Sequence, residues 1–351
     1  MLMNIKLSDR EETVLRVIVD EYINSSQPVG SRYVSKTGFL SLSPASIRNI
    51  MSDLKDKGYI IQPHTSSGRV PTDTGFKYYI DKFIAISNND LQDLQNEFRD
   101  LNDVNVRSIF DSISRKLGDL THSIGFVISP KLNTMYLKHI EFIRLNSDTV
   151  LTVIVTKSGI VHNMLMNIDE SIKDNDLVRV ANYLNDKFKD KTLLEVKEQL
   201  VTEMRDKKDK VNELTEKVMK VSQNLFNDAD FGSEIILHGT SNIIGQPEFK
   251  DTEKLKDFLK AFEEKHFAYQ ILERCMRENG VKIFIGSDLG SDSVEELGLV
   301  TKPYLRDDKT IGTLGVIGPK RMKYPEVIPI VDFTAEIITN LLKKLGGSND
   351  K

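Results

Sequence analysis

Between Ser43 and Lys55 the chain gathers Ser46, Arg48, Asn49 and Ser52, with the small Ala45 ahead of them. An arginine guanidinium can donate two parallel hydrogen bonds to O6 and N7 of guanine. An asparagine amide can pair in the same two-point way with N6 and N7 of adenine. Further on, Thr65-Ser66-Ser67-Gly68-Arg69 puts hydroxyls and one cation on a glycine-containing run. That composition suits phosphate contact, or entry of an arginine into a narrow minor groove. Arg32 and Lys55 add cations suited to phosphates.

Other chemistry is sparse. The six histidines are scattered, with no H-x-x-x-H or H-E-x-x-H pair. The single cysteine, Cys275, cannot build an internal disulfide or a cysteine-rich zinc site, and reads as a small buried apolar side chain. Gly312, Gly315 and Gly318 match neither the dinucleotide nor the P-loop pattern, and read as a strand closely approached by backbone. The run Gly286–Asp292 lacks the carboxylate spacing of an EF-hand and reads as a surface turn. The expectation is no catalytic residue, no cofactor, no metal and no enzyme.

Periodicity supplies the elements that would position the candidate face. Ser43 suits an N-cap and Pro44 the first helical position. Ile47, Ile50, Met51 and Leu54 then form one buried stripe, which leaves Ala45, Ser46, Arg48, Asn49 and Ser52 outward. Gly58 ends this helix, Tyr59–Gln62 has strand character, and Thr65–Arg69 reads as a flexible basic tip. Ahead of it, Ser8 with Glu11 matches a capping box for a helix to Ile23 carrying Val14, Leu15, Ile18, Val19 and Tyr22. Gly30–Ser35 makes a short second helix. Asp73 is expected to cap a fourth, with Phe76, Tyr79, Ile80 and Phe83 in its core. Helix, short helix, turn, helix and ribbon is the helix-turn-helix order with a wing appended. The same stripe also serves a three-helix domain that never touches nucleic acid.

The charge distribution favours DNA. Over all 351 residues the net charge is −4, which gives no sign of nucleic-acid binding. From Ser26 to Lys82, however, eight basic residues face four acidic ones, a local +4 that leaves −8 for the remainder. The DNA-binding set read from this region is Arg32, Ser43, Ser46, Arg48, Asn49, Ser52, Lys55, Ser66, Ser67, Gly68, Arg69 and Thr72. The start MLMNIKLSDREE lacks a signal-peptide layout, and no apolar run is long enough to span a bilayer. A cytoplasmic location with no membrane contact is therefore expected.

The run Thr65-Ser66-Ser67-Gly68-Arg69-Val70-Pro71-Thr72-Asp73, followed by Gly75-Phe76-Lys77-Tyr78-Tyr79, resembles the HrcA family of bacterial heat-inducible transcription repressors. Gln27-Pro28-Val29-Gly30-Ser31, Ser43-Pro44-Ala45-Ser46-Ile47-Arg48-Asn49 and the C-terminal Gly312-Thr313-Leu314-Gly315-Val316-Ile317-Gly318-Pro319 fit the same pattern. The resemblance implies a homodimer that represses chaperone operons from an inverted-repeat operator, with repression lost on heating and a GroEL-type chaperonin sustaining activity. It also implies a GAF-like domain hosting an inserted dimerisation domain. A small-molecule-responsive winged-helix regulator, with a ligand in the GAF-like domain, is the alternative.

The remaining patterning predicts a helical stretch from Leu91 to His122, then strands at Ile124–Ile128, Met135–Leu145, Val150–Thr156 and Ile160–Met166 as one antiparallel meander. No Gly or Pro occurs from Ile160 to Phe231. Leu177, Val180, Ala181, Leu184 and Phe188 mark one helix there. Val211, Leu214, Val218, Val221 and Leu225 follow in 3-4-3-4 spacing, a seam that suits either internal packing or a subunit contact. Short strands at Ile235–Leu237 and Asn242–Ile244, a helix from Thr252 to Met276, strands at Val281–Ile285, Leu299–Tyr304 and Gly312–Ile317, and a helix from Glu326 to Leu345 complete the chain. The expected fold is α+β and multidomain: a winged helix-turn-helix (1–86), a GAF-like antiparallel sheet domain in two parts (87–170 and 251–345), a mostly helical dimerisation domain inserted between them (171–250), and a flexible tail (346–351).

Overall fold

The structure is a computed structural model that describes residues 6–65, 67–84, 94–96, 98, 106–130, 135–157, 159–206, 217, 220, 221, 225, 234–244, 246–249, 256, 280–290, 294–306 and 309–347. It is mixed α and β. At the N-terminus, α1 (Asp9–Ser25), α2 (Ser31–Lys36) and α3 (Pro44–Asp56) precede a ribbon of β1 (Ile60–Ile61) and β2 (Val70–Pro71), and α4 (Asp73–Phe83) follows it. The Ser8–Glu11 capping box forms as the spacing predicts: the Glu11 carboxylate accepts from the Ser8 N–H at 2.8 Å. The cap of α4 is Thr72 rather than Asp73. The Thr72 hydroxyl accepts from the Gly75 N–H and donates to the Gly58 carbonyl, which leaves the Asp73 carboxylate free to point elsewhere.

Beyond it, α5 (Val106–Thr121) lies against an antiparallel five-stranded sheet ordered β7-β3-β10-β9-β8, with β3 at Ile124–Ile128, β7 at Ile235–His238, β8 at Lys282–Ile285, β9 at Leu297–Arg306 and β10 at Lys309–Pro319. The closing helix α8 (Tyr324–Gly347) packs on the same side as α5. One continuous core joins this layer to α1–α4, and Phe76 of α4 meets Tyr324 of α8 ring to ring at 6.5 Å. Gly315 in β10 would place a Cβ 2.1 Å from the Val300 carbonyl oxygen, so the expected close backbone approach is present.

Three further expectations change. The four strands from 124 to 166 are not one meander. All five residues of β3 are buried: Val127 faces one core while Ile124, Phe126 and Ile128 face another, and the strand pairs with β7 and β10 in the large sheet. By contrast β5 (Thr149–Thr156) alternates, as a strand with one covered face must. It pairs with β4 (Leu137–Arg144) and β6 (Val161–Asn167) in a separate sheet. Helices α6 (Asp174–Phe188) and α7 (Leu193–Asp206) share a second core with that sheet, so the boundary expected at 171 falls inside a packed unit. The strand expected at Asn242–Ile244 is absent. The segment Thr240–Asn242 is a 3-10 turn whose Asn242 amide donates to the carbonyls of Gly118 and Ser123, each at 3.0 Å.

Val221 and Leu225 of the expected seam are buried in the second core and so are spent on internal packing. Val211, Leu214 and Val218 lie outside the described residues, as do Ser66 and, apart from Lys256, the helix expected from Thr252 to Met276. No described helix is long and apolar enough to cross a membrane.

Candidate nucleic-acid interface

Helix α3 starts where sequence chemistry says it should. The Ser43 hydroxyl accepts from the Ser46 N–H at 3.2 Å, and Pro44 takes the first helical position. Ile47, Met51 and Leu54 are buried, which fixes the rotation of the helix and turns Ala45, Arg48, Asn49, Ser52 and Lys55 to solvent. Asp56 lies at the far end of this exposed stripe and Asp53 beside it, so the cationic and amide character is concentrated in the first turns. That end of a recognition helix is the one that meets base edges. Among the described residues, no hydrogen bond or ion pair engages the side chains of Arg32, Arg48, Asn49 or Lys55.

The bearing of α3 is set at its other end. Lys57 Nζ lies 2.6 Å from Oε1 of Glu11, a side chain only 9% exposed. Burial alone would raise the Glu11 carboxyl. The Lys57 ammonium and the Ser8 amide and hydroxyl outweigh it and hold the group below its ordinary value. One buried carboxylate thereby ties the start of α1 to the end of α3.

The described residues of the ribbon are tied to one another by hydrogen bonds. Gln62 Nε2 donates to the carbonyls of Thr65 (2.8 Å) and Ser67 (3.2 Å), and the Ser67 hydroxyl closes on the His64 carbonyl at 2.7 Å. Ser67 and Thr72 thus spend their hydroxyls on the fold. Arg69 immediately precedes β2 on the loop side of the ribbon. Its backbone bridges to Val29, and its buried Nε has no hydrogen-bond partner among the described residues. A desolvated, unsatisfied guanidinium N–H is costly in isolation.

Sequence reasoning passed over one neighbouring cation. Lys36 is exposed one helical turn after Arg32 on α2, a spacing that was available to find it. Gly68, expected in the DNA-binding set, is packed so closely that a Cβ there would lie 2.6 Å from main-chain carbons of Pro28 and Val29. Its role is close approach, which only the fold reveals.

A family model described as the HrcA protein C terminal domain matches residues 107–328. The heat-inducible transcription repressor HrcA of Geobacter sulfurreducens is 37% identical over 339 residues, covering 96% of this chain and 98% of its own. The chain belongs to the HrcA family. The repressor of the same name from Syntrophobacter fumaroxidans is 36% identical, covering 97% of this chain and 99% of its own. Since the HrcA model begins at 107, after α4, it is these near full-length relatives that extend the match across α1–α4 and the candidate interface. A crystal structure of a hypothetical protein has a similar fold, with TM-score 0.67 at 21% identity, covering 97% of this chain and 100% of that one.

Proposed function

We propose that this chain is a heat-inducible transcription repressor whose N-terminal unit is a winged helix-turn-helix. Its recognition helix is α3, and the β1–β2 ribbon is its wing. The observation that carries this reading is the exposed face of Arg48, Asn49, Ser52 and Lys55, whose charged and amide groups have no partner among the described residues. Arg48 and Asn49 read base edges, with Ser46 beside them. Arg32, Lys36 and Lys55 hold phosphates, and Arg69 supplies the wing contact.

The operator is an inverted repeat bound by a homodimer, because a two-fold protein presents two α3 helices related by the same symmetry. The five-stranded sheet with α5 and α8 is the GAF-like domain, and the unit of β4–β6, α6 and α7 is the inserted dimerisation domain, beginning before 171. Support for the last assignment comes from the outward face of β4–β6, where Ile143, Leu151 and Leu165 lie side by side in register and Ile143 and Leu165 are exposed. A GroEL-type chaperonin sustains the active form, and the promoters served are those of chaperone operons.

The test is a gel-shift titration of the full chain on a chaperone-operon inverted repeat and on scrambled duplex, with and without chaperonin. Preference for the repeat, strengthened by chaperonin, is the expected result. Equal affinity for both duplexes rejects the repressor reading, and indifference to chaperonin rejects that partner.

A further inference from the structure

The N-terminal unit is not hung on a loose tether. Asp73, the first residue of α4, lies 2.8 Å from Lys320 Nζ at the end of β10 and accepts from the Ser287 N–H at 3.0 Å. One turn along, Lys77 Nζ lies 2.7 Å from Oδ1 of Asp288. Between these two ionic contacts the Phe76 ring packs on Tyr324. The loop at 286–289 closes tightly on the carboxylate. Gly286 has φ 49°, and a Cβ there would lie 2.5 Å from Asp73 Oδ2. Asp73 and Lys320 are 20% and 17% exposed, so the pair is sheltered from solvent screening.

What α4 feels, the ribbon and α3 feel. A Cβ on Gly75 would lie 2.2 Å from the Tyr59 carbonyl oxygen, so the first turn of α4 is pressed against the chain that links α3 to β1. The Thr72 hydroxyl reaches Gly58, the residue that closes α3. Apolar burial along the seam is non-directional and tolerates sliding. The charge-assisted bonds at Asp73 have preferred geometry and resist it.

We propose that Asp73 is a positioning residue: by clamping α4 to Lys320 and Ser287, it fixes the bearing of α3 relative to the GAF-like domain. In the dimer this sets the separation and twist between the two recognition helices, and so the half-site spacing the protein accepts. The inference rests on the DNA-binding reading above. Asp73 touches no base and no phosphate in this role.

The test compares the full-length wild type with Asp73→Asn, Lys320→Met and Lys320→Arg. The probes are a chaperone-operon inverted repeat, the same duplex with its spacer changed by about half a helical turn, a single half-site, and scrambled DNA. Asp73→Asn and Lys320→Met should keep wild-type half-site affinity while losing about tenfold of the preference for the native spacer, because simultaneous engagement no longer comes pre-aligned. Lys320→Arg, which keeps the ion pair, should retain that preference. An unchanged spacer preference in Asp73→Asn and Lys320→Met overturns the proposal. So does a parallel loss of half-site affinity in both, which would mark damage to the reading face. A wild type that prefers no duplex over scrambled DNA rejects the DNA reading itself, and the inference with it.

Discussion

Val29 and Arg69 exchange both of their backbone hydrogen bonds, the Val29 N–H donating at 2.9 Å and the Arg69 N–H at 2.8 Å. This single antiparallel bridge ties the loop side of the ribbon to the turn between α1 and α2. It also joins two motifs that are far apart in the sequence, 27–31 and 65–73, into one framework. Arg32 at the start of α2 and Arg69 in the ribbon are therefore held in a fixed relation to each other, and both to α3.

Gly68→Ala should break that framework. The added methyl would lie 2.6 Å from main-chain atoms of Pro28 and Val29, and backbone cannot step aside as a side-chain tip can. Overpacking of this kind costs about 1–3 kcal/mol. Thermal unfolding of the variant should show a lower Tm, and operator affinity should fall with it. A Tm equal to that of the wild type would mean that the bridge yields without cost.

Much of α1–α4 was legible because local chemistry and burial agree there. Ser8 and Glu11, Ser43 and Pro44, and the stripe Ile47–Met51–Leu54 each specify a cap or a face without help from distant residues. The ribbon was harder. Arg69 looked like a tip residue, since nothing local reveals that Val29 pairs with it. The strands at 124–166 all have β character, and strand propensity does not say which sheet a strand joins. That choice follows from the two edges of β3 being paired by β10 and β7, which arrive much later in the chain. The Asp73–Lys320 clamp was invisible for the same reason: Asp73 was read as a cap for the helix it begins.

Arg48→Ala should separate base reading from charge. One good two-point base contact is worth about 1–3 kcal/mol, so affinity for the operator should fall by that amount while affinity for scrambled duplex holds. Arg69→Ala should instead lower the slope of log affinity against log salt by about 1. Equal losses on both duplexes for Arg48→Ala would reduce that residue to a phosphate contact. An unchanged salt slope for Arg69→Ala would remove the wing from the interface.

Acid should loosen the reading face through Glu11. Its carboxyl is held below the ordinary value of 4.5 in the folded chain, so its contribution to stability is fully present above that value. As pH falls through the depressed folded value the contribution is lost, because the protonated acid no longer attracts Lys57. Glu11→Gln should therefore have a lower unfolding midpoint than the wild type at neutral pH, and the gap should narrow as the solution is acidified below about pH 4.5. Urea titrations of both proteins across that range measure it. A gap independent of pH would show that Glu11 acts through shape, not charge.

Thr152 is fully buried in the second core, and its hydroxyl has no hydrogen-bond partner among the described residues. It sits in register between Phe142 and Met164, on the face of β5 turned toward α6. An unsatisfied buried hydroxyl costs about 1–3 kcal/mol, and valine has nearly the same shape without it. Thr152→Val should raise the Tm with the oligomeric state unchanged. A lower Tm would indicate that the hydroxyl is satisfied in solution.

The other face of the same sheet bears on assembly. Leu165 is 63% exposed, and its register neighbours across the sheet are Leu151 and then Ile143, itself 43% exposed. An apolar row on an uncovered sheet face gains stability when a second copy covers it, and it offers little to a chain that remains alone. Val221 and Leu225 cannot serve instead, since they are buried in the core and reach a partner only if that core opens. Leu165→Lys should therefore shift sedimentation equilibrium toward monomer while leaving the intrinsic fold intact, because the side chain supports no core of its own. Operator affinity should drop with dimerisation, whereas half-site affinity should not. Persistence of the dimer in Leu165→Lys would move the contact off this face, and the exposed Val178 of α6 and Leu194 of α7 would be the next residues to substitute.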